Sequence, residues 1–164
     1  MALAAMGVRA VTIKDVTDVP DIYARELYRA HHENGAPSGQ TPSDLAYLTK
    51  TRERSFHSAF FVSLYKAARP HTGSRGIAFC HAIQTYWQAM GCPQDFENQK
   101  KNPLTPTRAN LLSKHVEDGM NSKGAYKPMV CVRKCRICRT VFMGLTDRVE
   151  NHCDFCIREG ATNH

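Results

Sequence analysis

The stretch CRICRTVFMGLTDRVENHCDFC, residues 135–156, decides how the C-terminal part of this chain is read. It holds two Cys-x-x-Cys pairs, Cys135/Cys138 and Cys153/Cys156, with 14 residues between them. A Cys-x-x-Cys turn points two sulfurs at one ion while backbone N–H groups support the thiolates. Two such turns joined by a short hairpin give a tetrahedral four-thiolate site, which suits zinc. Cys131 and His152 are alternative ligands, and an iron–sulfur cluster also takes four thiolates. The two symmetric pairs favour Cys135, Cys138, Cys153 and Cys156 around one structural zinc per chain. Four protein ligands leave no open position for activating water.

The surroundings of this stretch are basic. Between Gly119 and Thr146 no acidic residue occurs, while Lys123, Lys127, Arg133, Lys134, Arg136 and Arg139 do. Over all 164 residues the net charge is +7. That balance favours an anionic partner, nucleic acid first. Seven cysteines, four of them in the pairs, indicate a reducing compartment rather than a secreted disulfide scaffold. The opening MALAAMGV does not read as a signal peptide, and no apolar run reaches the roughly 18 residues of a membrane span. The expectation is a cytoplasmic protein with no membrane partner.

Working back toward the N-terminus, the pattern is helical. Ala2 to Met6 forms a short helix ended by Gly7. Thr12 to Asp15 resembles a capping box that opens a second. Asp18 as cap and Pro20 in the first turn start a third, which runs to about His32. In that third helix Tyr23, Leu27 and Ala30 form the expected core face, and Arg25, Arg29 and His32 a basic stripe. A tight turn before a basic-striped helix describes a helix-turn-helix, in which Arg25 and Arg29 face DNA. Residues 34–42 read as a loop and Ser43 as the cap of the next helical region. Phe56, Phe60, Leu64 and Ala67 form the core stripe of one further helix, and Cys80, Ile83, Trp87 and Met90 that of another. A last helix opens at Thr105-Pro106, buries Ala109, Leu112 and Val116, and closes at Gly119. His57 and His81 read as packing histidines. Short strands are expected around the cysteine pairs.

The fold class is therefore mainly α. Residues 1–35 form a helix-turn-helix-like segment, 36–120 a central helical region and 121–164 a zinc-ribbon-like four-cysteine lobe.

The order of these features resembles the FlhC family, the C subunit of the bacterial flagellar transcriptional activator. Leu27-Tyr28-Arg29 ends the third helix as a Leu-Tyr-basic run does there. The loop from Pro37-Ser38-Gly39 to Pro42-Ser43 follows at the matching place. His57-Ser58-Ala59-Phe60-Phe61 stands for the family's His-Ala-Ser-x-Phe run, with the two small residues changed. Thr107-Arg108-Ala109 opens the helix before the metal lobe, and the four cysteines match the family's zinc ligands. The resemblance implies a DNA-binding subunit that acts with a FlhD-type subunit, four D with two C, binds double-stranded DNA upstream of flagellar promoters and recruits RNA polymerase. A divergent paralogue would regulate other genes. The alternative from a different class is a zinc-ribbon nuclease or an accessory protein of a nucleic-acid enzyme. No Gly-rich phosphate loop, His-Glu-x-x-His motif or nucleophile elbow supports an enzyme.

Overall fold

The computed structural model describes residues 2–32, 43–92, 103–121, 129–147, 151–153 and 156–157. Among these residues six α-helices run in chain order: α1 Ala2–Ala5, α2 Ala10–Thr17, α3 Asp21–His31, α4 Arg52–Ala68, α5 Arg75–Met90 and α6 Pro106–Asn121. Short 3-10 turns occupy Ala46–Leu48 and Arg69–His71, and strands β1 Val130–Lys134 and β2 Val141–Leu145 follow. The chain is mainly helical with a small two-stranded sheet beside a C-terminal cysteine cluster, as the sequence indicates.

The helices begin and end for local reasons, not always the expected ones. Gly7, at φ 69°, stops α1 in the left-handed region that glycine enters without strain. Thr12 does not cap α2. It lies inside that helix, buried, with its hydroxyl 3.5 Å from that of Thr107 on α6. Asp18 closes α2 instead of opening α3: it sits at φ 57°, and its backbone N–H donates to the Lys14 carbonyl. Aspartate is among the few non-glycine residues that visit this conformation readily. Pro20 then stands just before α3 rather than inside its first turn.

The buried face of α3 is one position away from the expected one. Ala24 and Tyr28 are buried, whereas Tyr23 and Ala30 are exposed and Leu27 is half-buried. A small residue inward lets α3 approach α2 closely, so the bulkier Tyr23 is turned out. His32 leaves the basic stripe altogether. Its backbone is extended, its ring packs 4.7 Å from that of Tyr28, and its Nε2 donates to the Ala4 carbonyl at 2.8 Å.

Helix α4 is the centre of the body, in contact with α5, α6 and both strands. Its N-cap Thr51 accepts from the Arg54 N–H. A helix with neighbours on several sides buries a wide surface, and the expected stripe again moves by one. Ser55, Ala59, Val62 and Tyr65 are buried, Phe56, Phe60 and Leu64 only partly, and Ala67 is exposed. On α5, Ile83 and Trp87 are fully buried and Cys80 packs against the core, as expected. On α6, Ala109, Leu112 and Val116 are buried, also as expected, but the helix continues past Gly119 to Asn121. His57 is a half-buried packing histidine, 2.9 Å from the Tyr86 hydroxyl, and burial lowers its pKa. His81 is exposed and is not one.

Polar staples lock the helices. The Arg75 guanidinium donates to the Asp15 carbonyl at 2.6 Å and to Asn110 Oδ1 at 2.7 Å, while Asn110 donates back to the Asp15 carboxylate, which also pairs with Lys114. Gly76 permits this meeting of α2 and α5, since a Cβ there would lie 3.1 Å from Thr17 Cγ2 and 3.3 Å from the Val16 carbonyl oxygen. Tyr65 and Arg69 both donate to Glu117, at 2.6 and 2.7 Å, joining α4 to α6.

One apolar cluster runs through all six helices into the sheet. The strands pair antiparallel, from Val130 opposite Leu145 to Lys134 opposite Val141. Side chains alternate across a sheet. Val130, Val132, Val141, Met143 and Leu145 therefore join the helical core, while Phe142 on the other face joins the cysteines. At the free edge of β2 the buried hydroxyl of Ser55 donates to the Met143 carbonyl at 2.7 Å and accepts from the Met143 N–H at 2.9 Å.

Candidate metal centre

Strand β1 delivers Cys135 to the end of the hairpin. The Cys135 N–H donates to the Thr140 carbonyl at 3.0 Å, and the Arg139 N–H donates back to the Cys135 carbonyl at 3.1 Å. The turn closes through Arg139 at φ 62°, a position where an L side chain is strained. The Arg136 N–H donates to the Asn151 carbonyl at 3.0 Å, tying the first cysteine pair to the segment that enters the second. In the second pair the Ile157 N–H donates to the Cys153 carbonyl.

These turns bring together the four cysteines picked out by spacing. Their sulfurs all lie within 4.8 Å of one another, and Cys138 and Cys153 are 3.6 Å apart. Thiolates bound at about 2.3 Å at the corners of a tetrahedron lie about 3.8 Å apart, so the cluster fits a metal ion at its centre. Cys131 and His152 are outside it; the Cys131 sulfur instead meets the Arg133 Nε at 3.1 Å.

The electrostatics agree with the geometry. Burial opposes ionisation of Cys135, but backbone N–H donors at Cys153, Cys138 and Ile137 outweigh it and hold the thiol well below its ordinary value. Hydrogen bonds from Thr140 lower Cys138. Burial raises Cys153 and Cys156. Four adjacent thiolates repel one another, and ionising all four requires a cation among them.

No protein-family model matches the chain, and no curated protein matches it.

Among the described residues, the basic side chains expected to contact DNA fall into three groups. Lys134, Arg136 and Arg139 are exposed at the turn end of the hairpin. Arg133 is half-buried and donates to the Leu145 carbonyl at 3.2 Å. On α3, Arg29 is exposed, and Arg25 pairs with Asp21 at 2.8 Å. Lys123 and Lys127 lie outside the described residues.

Sequence reasoning missed two features. One is the Ser55 bridge to β2, which joins residues 88 positions apart and leaves no local trace. The other is Tyr47, whose ring lies 3.7 Å from the Arg54 guanidinium and 4.0 Å from that of Arg108. Arg108 belongs to the Thr107-Arg108-Ala109 run, and an arginine in the first turn of a helix gives no hint of an aromatic partner. Tyr47 lines a groove of about 1030 Å³ between the start of α4 and β2, with Lys50, Arg52 and Phe142. Among the described residues no helix is long and apolar enough to cross a membrane.

Proposed function

We propose that this chain is the DNA-binding subunit of a transcriptional activator, resembling FlhC and acting in the cytoplasm with a FlhD-type subunit at flagellar or related promoters. The observation that carries this reading is the α2–α3 unit. An eight-residue helix gives way to a three-residue turn that opens on a left-handed Asp18, and α3 then packs through Ala24 and Tyr28 with its opposite face open. This arrangement supports the reading of a helix-turn-helix, in which the second helix would enter the major groove. The basic hairpin supplies a second contact. Lys134, Arg136 and Arg139 meet phosphates, which position a protein without reading sequence.

Zinc is the metal this reading assigns to Cys135, Cys138, Cys153 and Cys156. Two Cys-x-x-Cys turns at tetrahedral spacing are its usual structural site, and a closed four-thiolate shell holds shape rather than activating water. Backbone donors at Cys153, Cys138 and Ile137 stabilise the Cys135 thiolate, and Phe142 packs with the buried Cys135, Cys153 and Cys156, while Cys138 is exposed.

Co-expression with a FlhD-type subunit, followed by sizing and a DNA shift assay with promoter duplexes, tests the reading. The expected result is a hetero-oligomer that shifts specific duplex and recruits RNA polymerase. A chain that ignores the D subunit and binds no duplex, or that cleaves plain duplex when metal is supplied, contradicts it.

A further inference from the structure

Three exposed side chains of α3 stand in one row. Ile22, Glu26 and Arg29 follow at i, i+4 and i+7, which share a helix face. Ile22 is 64% exposed, more than any other large apolar side chain among the described residues. Glu26 and Arg29 are exposed and have neither hydrogen bond nor ion pair among the described residues. Arg25 differs, since its guanidinium is held by Asp21 one turn back. The row therefore presents an apolar group, a free acceptor and a free fork of donors, in that order.

We infer that this row is the base-reading edge of the protein: Ile22 packs against a thymine methyl, Glu26 accepts from a cytosine N4 amino group, and Arg29 donates to guanine O6 and N7. The inference rests on the DNA reading above and adds the bases read. Each pairing follows from the groups that bases expose in the major groove. The lengths agree as well. Seven residues of helix rise about 10.5 Å, and three base-pair steps of about 3.4 Å each, from the first to the fourth base pair, span a similar distance. Glu26 is the decisive member. A carboxylate pressed toward DNA is repelled by every phosphate, so it belongs there only if it gains a base donor. An acceptor in the row also explains why α3 is not uniformly basic, while the hairpin, which has only phosphates to meet, is.

The test is selection from randomised duplexes by the zinc-loaded full chain with its FlhD-type partner. Wild type, Ile22→Ala, Glu26→Gln, Arg29→Lys and Arg136→Ala are compared. All of the substituted positions are exposed, and zinc content and helicity serve as folding controls. Wild type is expected to select a motif in which T, C and G preferences fall within three to four neighbouring base pairs. Glu26→Gln should switch one position from C to A, because glutamine pairs with adenine, with discrimination changing roughly 10- to 100-fold there. Arg29→Lys should weaken the G preference and Ile22→Ala the T preference. Arg136→Ala should leave the motif unchanged and weaken binding to all sequences. If wild type selects a motif that Ile22→Ala, Glu26→Gln and Arg29→Lys all retain, the row is not the reader, although the DNA reading stands. If wild type selects no motif, both fall together.

Discussion

The hairpin and the helical body solve the same problem with different means. The body buries a broad apolar surface, from Leu3 on α1 to Val116 on α6, and adds polar staples between helices. The hairpin has one face to bury against that body. Its other face carries little more than Phe142 and the cysteines. A sheet of two five-residue strands is marginal by itself in water. What holds its outer end is local chemistry: four sulfurs, a turn closed at Arg139, and amide donors aimed at a thiolate. The body is thus set by shape complementarity among distant residues, and the hairpin end by ligand spacing.

The largest effect expected from breaking this contrast is loss of a ligand. Cys135→Ser should abolish stoichiometric metal binding and unfold the hairpin, because metal binding by small four-ligand sites contributes roughly 10–16 kcal/mol. Helices α2 to α5 should keep their amide exchange protection. Hydrogen exchange with zinc analysis checks this, and full metal content with an intact hairpin would contradict it.

Next comes the joint between the two regions. Ser55→Ala removes the hydroxyl that satisfies both the N–H and the C=O of Met143. Leaving two buried groups unpaired costs about 2–4 kcal/mol in total. The expected outcome is a chain that still binds metal but whose sheet exchanges faster and whose urea midpoint falls. An unchanged midpoint would mean that the sheet docks without Ser55.

A smaller effect, confined to the body, is pH-dependent. Burial would raise the Glu117 carboxyl, but hydrogen bonds from Arg69 and Tyr65 outweigh it and hold it below its ordinary value of 4.5. A depressed carboxylate contributes stability that is complete above its unfolded pKa and is lost as pH falls through the folded one. Glu117→Gln should therefore destabilise the protein by about 1–3 kcal/mol at neutral pH. In strong acid the difference from wild type should vanish. Urea unfolding at neutral pH and in strong acid measures this, and a gap that persists in acid would contradict it.

The smallest effect separates stability from function. Arg139→Gly relieves the left-handed backbone at φ 62° and should stabilise the hairpin by about 1 kcal/mol. On the proposed reading the same change weakens binding to every duplex. Thermal melts and DNA titrations of this variant should therefore move in opposite directions.

The same contrast governs what is legible in the sequence. The four cysteines are readable because ligand spacing is a local property, and the geometry gathers all four. Helix existence is readable from apolar periodicity and from stops such as Gly7 after α1 and Gly91, the left-handed cap that ends α5. Which face of a helix turns inward is harder. At α3 and α4 the expected stripe is off by one residue, since small residues, Ala24 and Ser55, decide where a neighbour comes close. A scale that rewards bulk picks Tyr23 and Phe56 instead. Cap assignments at Thr12 and Asp18 fail for a related reason. Thr12 is claimed by Thr107 across the core, and Asp18 takes up a left-handed turn. The Ser55 bridge and the Asp15–Arg75–Asn110 staple join residues too far apart in sequence for any local pattern to register.

The central proposal is that the four-cysteine hairpin is a phosphate-binding surface of a DNA-binding protein. The most direct measurement is duplex affinity of the zinc-loaded chain, co-expressed with the proposed FlhD-type subunit, across salt concentration, for wild type, Arg136→Ala and Lys134→Ala. The account predicts weaker binding of both variants to specific and random duplexes alike, with the log–log salt slope flatter by about 0.9 for each phosphate that is no longer neutralised. Variants that bind as wild type at every salt concentration would contradict it.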